Sequence, residues 1–127
     1  MVNKFVNIFN NHFMEFVNDI QSVFPDDRDI LTAKNSFIAI RKANPKLISK
    51  IWNEFIVKKY ENEIVIGDIN FFINKDYMSD LSTAENSDKI MDSINRLRGP
   101  ISQMSVDDQK KTMQYIQNLS KLSKMCD

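Results

Sequence analysis

At 127 residues the chain is long enough to bury one core without disulfide or metal staples. Two glycines and three prolines among recurrent apolar residues exclude a disordered linker and a many-turned β-sandwich, leaving helices as the natural architecture. Seventeen cations balance seventeen acids, which excludes a strongly basic or acidic whole, but charge runs in blocks: net −3 over 1–33, +6 over 34–60, −6 over 61–92 and +3 over 93–127.

From Asn3 to about Phe24, the residues Phe5, Phe9, Phe13, Phe16, Ile20 and Val23 follow steps of three and four, the spacing of one helical stripe. Val6 and Val17 widen that stripe, so the helix needs two or more neighbours or a second chain. Pro25 ends it. In PDDRDI, Asp26 or Asp27 can cap the next helix and Asp29 suits its positive end. The three acids lack the ligand spread and turn glycine of a calcium loop. Ile30, Ala33, Phe37 and Ile40, flanked by Leu31 and Ile38, carry this second helix to about Ala43.

Asn44-Pro45 predicts a third helix start, with asparagine as cap and proline in the first turn. Leu47, Ile48, Ile51, Trp52, Phe55 and Ile56 make its apolar face, and Lys46, Lys50, Glu54 and Lys58 run along the opposite side. The aromatics therefore do not share a face with the lysines, which removes base stacking above a cationic groove. EIVIGDINFFI has two readings: a hairpin turning on Gly67-Asp68, or a helix stopped by Gly67 and restarted by Asp68 as cap, the second favoured because no other strand is available to pair. The polar stretch 74–87 reads as loop. Ser87 or Asp88 opens a further helix with Ile90, Met91, Ile94 and Leu97 inward, closed by Gly99 and Pro100. The last helix starts near Ser105, with Asp107 and Asp108 in its first turn and Met113, Ile116, Leu119 and Leu122 inward. Lys121 and Lys124 suit its negative end.

Catalytic signatures are missing from the sequence. A single histidine, His12, lies within the first helix's pattern, and a single cysteine, Cys126, sits near the carboxyl end. Nucleophile–histidine catalysis and zinc chelation need more than these. Isolated glycines make no phosphate loop. The paired acids Glu61/Glu63, Asp107/Asp108 and Asp26/Asp27 are common on helix ends and identify no acid–base pair. No catalytic, metal or cofactor site is predicted, and no cofactor is expected. The lone cysteine fits a reducing compartment, and the absence of an apolar leader or of 18 uninterrupted apolar residues predicts a soluble, intracellular protein.

Three stretches, FVNDIQSVFPDDRDILTAKNSFIAIRKANPKLISKIW, GDINFFINKDY and INRLRGPISQMSVDDQKKTMQYIQNLSKLSKM, together resemble a family of short, uncharacterised proteins encoded by large nucleocytoplasmic DNA viruses of algae and protists. The resemblance is one of whole pattern and carries no catalytic motif. It implies a viral origin, and with it the host cytoplasm or the virion. A composition rich in Asn, Ile and Lys with only four Ala agrees with A/T-biased codons.

The expectation is an all-α, compact bundle of five or six helices over 1–127 as one domain, with 61–86 ambiguous. It would act as a viral structural or accessory interaction protein by binding a macromolecule, without catalysis. The alternative is a nucleic-acid-associated protein using Arg41, Lys42, Lys46, Lys50, Lys58 and Lys59. Apolar surface flanking the stripes suggests a homodimer paired through Val6 and Val17; no membrane or small-molecule partner is indicated.

Overall fold

The computed structural model describes residues 4–74 and 87–126. Every regular element among them is helical, as the glycine-poor, periodic sequence requires: α1 (Lys4–Val23), α2 (Arg28–Ala43), α3 (Leu47–Trp52), a π-turn (Asn53–Val57), α4 (Lys58–Ile66), α5 (Ile69–Asn74), α6 (Ser87–Arg96), α7 (Arg98–Ser102) and α8 (Val106–Met125). The chain is an all-α bundle.

α1 is the central element, in contact with α2, α3 and α8. Its stripe is buried at Phe9, Phe13, Phe16 and Ile20, while Phe5 is half-buried and Val23 is exposed at the helix end; both flanking valines are buried, Val6 at 1% and Val17 at 0% exposure. The expected self-association face on Val6 and Val17 is therefore corrected: neighbours inside the chain cover it. The core condenses around Phe13, whose ring meets Phe37 at 4.6 Å, Trp52 at 5.8 Å and Phe9 at 5.9 Å between centroids. Trp52 is 4% exposed, and its indole N–H donates to Ser120 Oγ at 3.2 Å, which satisfies a polar group that would otherwise be buried unpaired.

Capping follows local chemistry closely. Asp27 Oδ1 accepts from Ile30 N–H at 3.1 Å, and Ser105 Oγ accepts from Asp108 N–H at 3.2 Å. The hairpin reading of 64–73 gives way to the broken helix. Gly67 is left-handed (φ 79°, ψ 33°), its N–H donates to Ile64 O, and Asp68 N–H reaches Glu63 O, a Schellman closure. Asp68 Oδ1 then accepts from Asn70 and Phe71 N–H to start α5. Ile64 and Phe72 are buried, so part of this segment closes over the bundle.

Two boundaries differ from the sequence reading. α3 begins at Leu47, because Asn44 and Pro45 form a turn: Asn44 Oδ1 accepts from Lys46 N–H, and Pro45 O accepts from Asn10 Nδ2 at 2.8 Å. Gly99 and Pro100 do not close a helix but lie in the first turn of α7, where the missing proline N–H had no intrahelical partner. The expected loop within 74–87 lies, apart from its end residues Asn74 and Ser87, outside the described residues.

The segment 47–66 is a helical path with an extra residue inserted before Lys58 and a kink at Tyr60 (φ −125°, ψ 29°). Lys58 N–H donates to Asn53 O, five residues back. Trp52, Asn53, Phe55, Ile56 and Val57 are all buried in consequence, a wider face than a regular helix presents.

Trp52→Ala should cost about 3–5 kcal/mol in urea denaturation, through lost burial and a residual cavity; parent-like stability would place the indole outside the core. Gly67→Ala should cost about 1–2 kcal/mol, because an L side chain resists the left-handed conformation. The added Cβ would also meet Gln117 Nε2 at 3.3 Å. An unchanged midpoint would show that the turn relaxes to another conformation.

Candidate binding surfaces

The structure does not bring the six predicted basic residues to one place. Lys46, Lys50 and Lys58 border one groove of about 170 Å³, with Ser49, Asn53 and Glu54 from the same helical path, Val6 from α1 and Cys126 from α8. Arg41 instead donates to Asn11 Oδ1 at 2.7 Å. Lys59 lies 5.7 Å from the Phe55 ring centroid, within cation–π range, and Lys42 is exposed near the end of α2. Trp52 and Phe55 are buried at 4% and 8% exposure, so the separation of aromatics from Lys46, Lys50 and Lys58 holds, with Lys59 over Phe55 as the exception.

A second groove of about 270 Å³ runs between α4 and α8, lined by Val57, Ile64 and Val65 with Gln117 and Ser120. Its rim carries both signs: Lys124 Nζ pairs with Glu61 at 2.9 Å, and Lys121 is exposed beside them. Gln117 Nε2 donates to Ile64 O at 2.9 Å and fixes the two helices in register. Val65 and its neighbour Ile66 are 75% and 77% exposed, more than any other large apolar residue described. Sequence reasoning missed this pair. The signal was readable: Val65 and Ile66 follow the inward Ile64 just before the stop at Gly67, so one helix cannot turn all three inward.

The charge blocks resolve into opposite ends. α1 and α8 are antiparallel: Lys111 Nζ meets Asp19 at 2.8 Å towards one end, while Val6 and Cys126 share the basic groove at the other. Asp19, Asp27, Asp29, Asp107 and Asp108 thus gather at the end where α1 finishes and α2 and α8 begin. There Arg96 bridges Asp92 and Asp29 at 3.0 and 2.9 Å, and hydrogen bonds to these carboxylates, Asp92 foremost, raise its pKa. These pairs are exposed and add little stability.

Midway along the α1–α8 seam, His12 packs 4.9 Å from the Tyr115 ring, and its Nδ1 lies 3.3 Å from Glu15 Oε2. No nucleophile adjoins it in the described contacts, and among the described residues no three His, Cys, Asp or Glu side chains converge on a metal position. Burial raises the Tyr115 pKa, with the Asp19 carboxylate adding to the effect and Lys111 opposing it. A cavity of about 40 Å³ among Phe13, Phe16, Trp52, Ile56, Phe72 and Ile116 is apolar and central. It reads as a packing void.

No helix among the described residues is long and apolar enough to cross a membrane. Compared with protein-family models, curated proteins and solved structures, the chain matches none.

Tyr115 and Lys111 both have raised pKa values, so what each contributes to stability is fully present below its unfolded pKa and lost as pH rises through its folded one. Stability should therefore fall above about pH 10. Tyr115→Phe should make that fall shallower when urea midpoints are compared between about pH 8 and about pH 11. Parallel curves would show that the phenol titrates alike in both states.

Proposed function

We propose that the chain acts by binding another macromolecule, as a structural or accessory interaction protein of the viral kind that the resemblance implies, and that it performs no catalysis. One observation carries this reading: Val65 and its neighbour Ile66 are strongly exposed, and Val65 borders the α4–α8 groove. Full exposure of two aliphatic side chains forgoes about 1.5–3 kcal/mol each relative to burial, and contiguous apolar surface of this sort commonly marks an interaction site.

The partner assigned to the surface is a second copy of the chain. Twofold pairing sets a patch against itself, so it must be self-complementary. Here the exposed Val65 lies beside a hollow bordered by Val57 and Ile64, and Glu61 on α4 faces Lys121 and Lys124 on α8 across the rim. A twofold axis through the groove brings Val65 to the hollow and acid to base.

Sedimentation velocity over micromolar concentrations should give a concentration-dependent mass approaching two chains. The double variant Val65→Lys/Ile66→Lys should remain at one chain with unchanged helical circular dichroism. A parent mass fixed at one chain would remove self-association and the partner assigned to this surface. A dimer indifferent to the double change would place the interface elsewhere.

A further inference from the structure

We infer that the groove formed by Lys46, Lys50 and Lys58 grips the phosphate backbone of nucleic acid, and that the π-turn is the device that builds it. This surface is separate from the α4–α8 groove, and the inference does not rest on the self-association reading.

Successive residues of an α-helix advance by about 100°, so Lys50, four residues on, lies about 40° from Lys46, and Lys58 on an unbroken helix would lie about 120° away. The residue inserted between Trp52 and Lys58 turns everything after it back by about 100°, which leaves Lys58 within about 20° of Lys46. The groove's lining agrees: Lys46, Lys50 and Lys58 border one hollow, floored by the buried Ser49 and Asn53. Lys59 is turned aside over Phe55. A change of phase has therefore made three lysines that a regular helix would splay into one cationic wall.

The chemistry of the wall selects the ligand. Three ammonium groups within one groove suit an anion with several negative oxygens, and the exposed Lys121 of α8 lies at the same end of the molecule, Lys124 beside it being paired with Glu61. A ligand with phosphates repeated along its length can use this track beyond the groove, whereas a small phosphate can use only the groove itself. No aromatic ring is offered, since Trp52 and Phe55 are buried. Recognition is thus of the backbone and not of stacked bases, and duplex, with its denser phosphates, is the favoured form. Glu54 also borders the groove and opposes binding.

The test measures affinity of the full chain for a fluorescent DNA duplex of about 20 base pairs across a salt series, with inorganic tripolyphosphate as competitor. Binding should weaken steeply with salt, and each of Lys46→Gln, Lys50→Gln and Lys58→Gln should weaken it roughly five- to tenfold at about 0.1 M salt and lower the slope of log affinity against log salt by about one. Glu54→Gln should strengthen it. Lys59→Gln and Lys110→Gln, the latter near the acidic end, should have much smaller effects, and thermal melts should confirm that all variants fold. Absence of duplex binding at about 20 mM salt overturns the inference. Equal losses for Lys110→Gln and Lys58→Gln would mean diffuse surface charge, and equal losses for Lys59→Gln and Lys58→Gln would remove the π-turn's role. Tripolyphosphate bound in preference to duplex would overturn nucleic acid as the phosphate source.

Discussion

The Lys58 N–H reaches back five residues to Asn53 O, and this one longer turn resets the phase of everything that follows it. Before it, Ile48, Ile51 and Trp52 face the core; through it, Phe55, Ile56 and Val57 are buried together, which three consecutive residues of a regular surface helix cannot achieve. Before the insertion α3 packs on α1, α2, α6 and α8, and after it the path stays on α8, held by Trp52 to Ser120 on one side and Gln117 to Ile64 on the other. The wide turn has poorer hydrogen-bond geometry than an α-turn, and the buried aromatic and aliphatic side chains offset that cost.

Charge is arranged by the same packing. Acids at the beginnings of α2 and α8 and lysines at the end of α8 each complement the local helix dipole. Because α1 and α8 run antiparallel and α2 follows α1 through a short turn, acidic beginnings gather at one end of the bundle and basic segments at the other. A chain of zero net charge thereby carries its charge unevenly, with Lys111 and Arg96 pairing the acids at one end and Glu61 pairing Lys124 at the other. Balanced composition hides this, since the blocks become surfaces only when the topology sorts them.

What was legible in the sequence was what is decided locally. Asp27, Ser105, and the pair Gly67 and Asp68 satisfy backbone groups within a few residues of themselves, and their roles could be read directly from residue type. The stripe of α1 and the burial of Trp52 followed from periodicity. Val6 and Val17 were ambiguous for a stated reason: a wide stripe means many neighbours or a second chain, and only tertiary packing of α2, α3 and α8 around α1 decides between them. Gly99-Pro100 misled because the same dipeptide suits a helix end and the first turn of a new helix. The four-residue spacing already placed Lys46, Lys50 and Lys58 on one side, but the π-turn that keeps them there has no residue signature, and the setting aside of Arg41 and Lys59 lay beyond sequence reasoning.

The two candidate surfaces meet in that same turn. Lys58 borders the cationic groove, while its neighbour Val57 and Glu61, one turn on, border the apolar groove on the other side. Side chains adjacent in sequence thus face different surroundings across one helix, about 100° apart. The surfaces also differ in what they select: one offers three lysines against the single Glu54 and no exposed aromatic ring, the other offers exposed aliphatic side chains framed by both signs. An extended polyanion fits the first and is repelled by the carboxylates of the second, whereas an apolar protein face gains only from the second. The helix from Leu47 to Ile66 is therefore both the spine of the core and the divider between two surfaces of different selectivity.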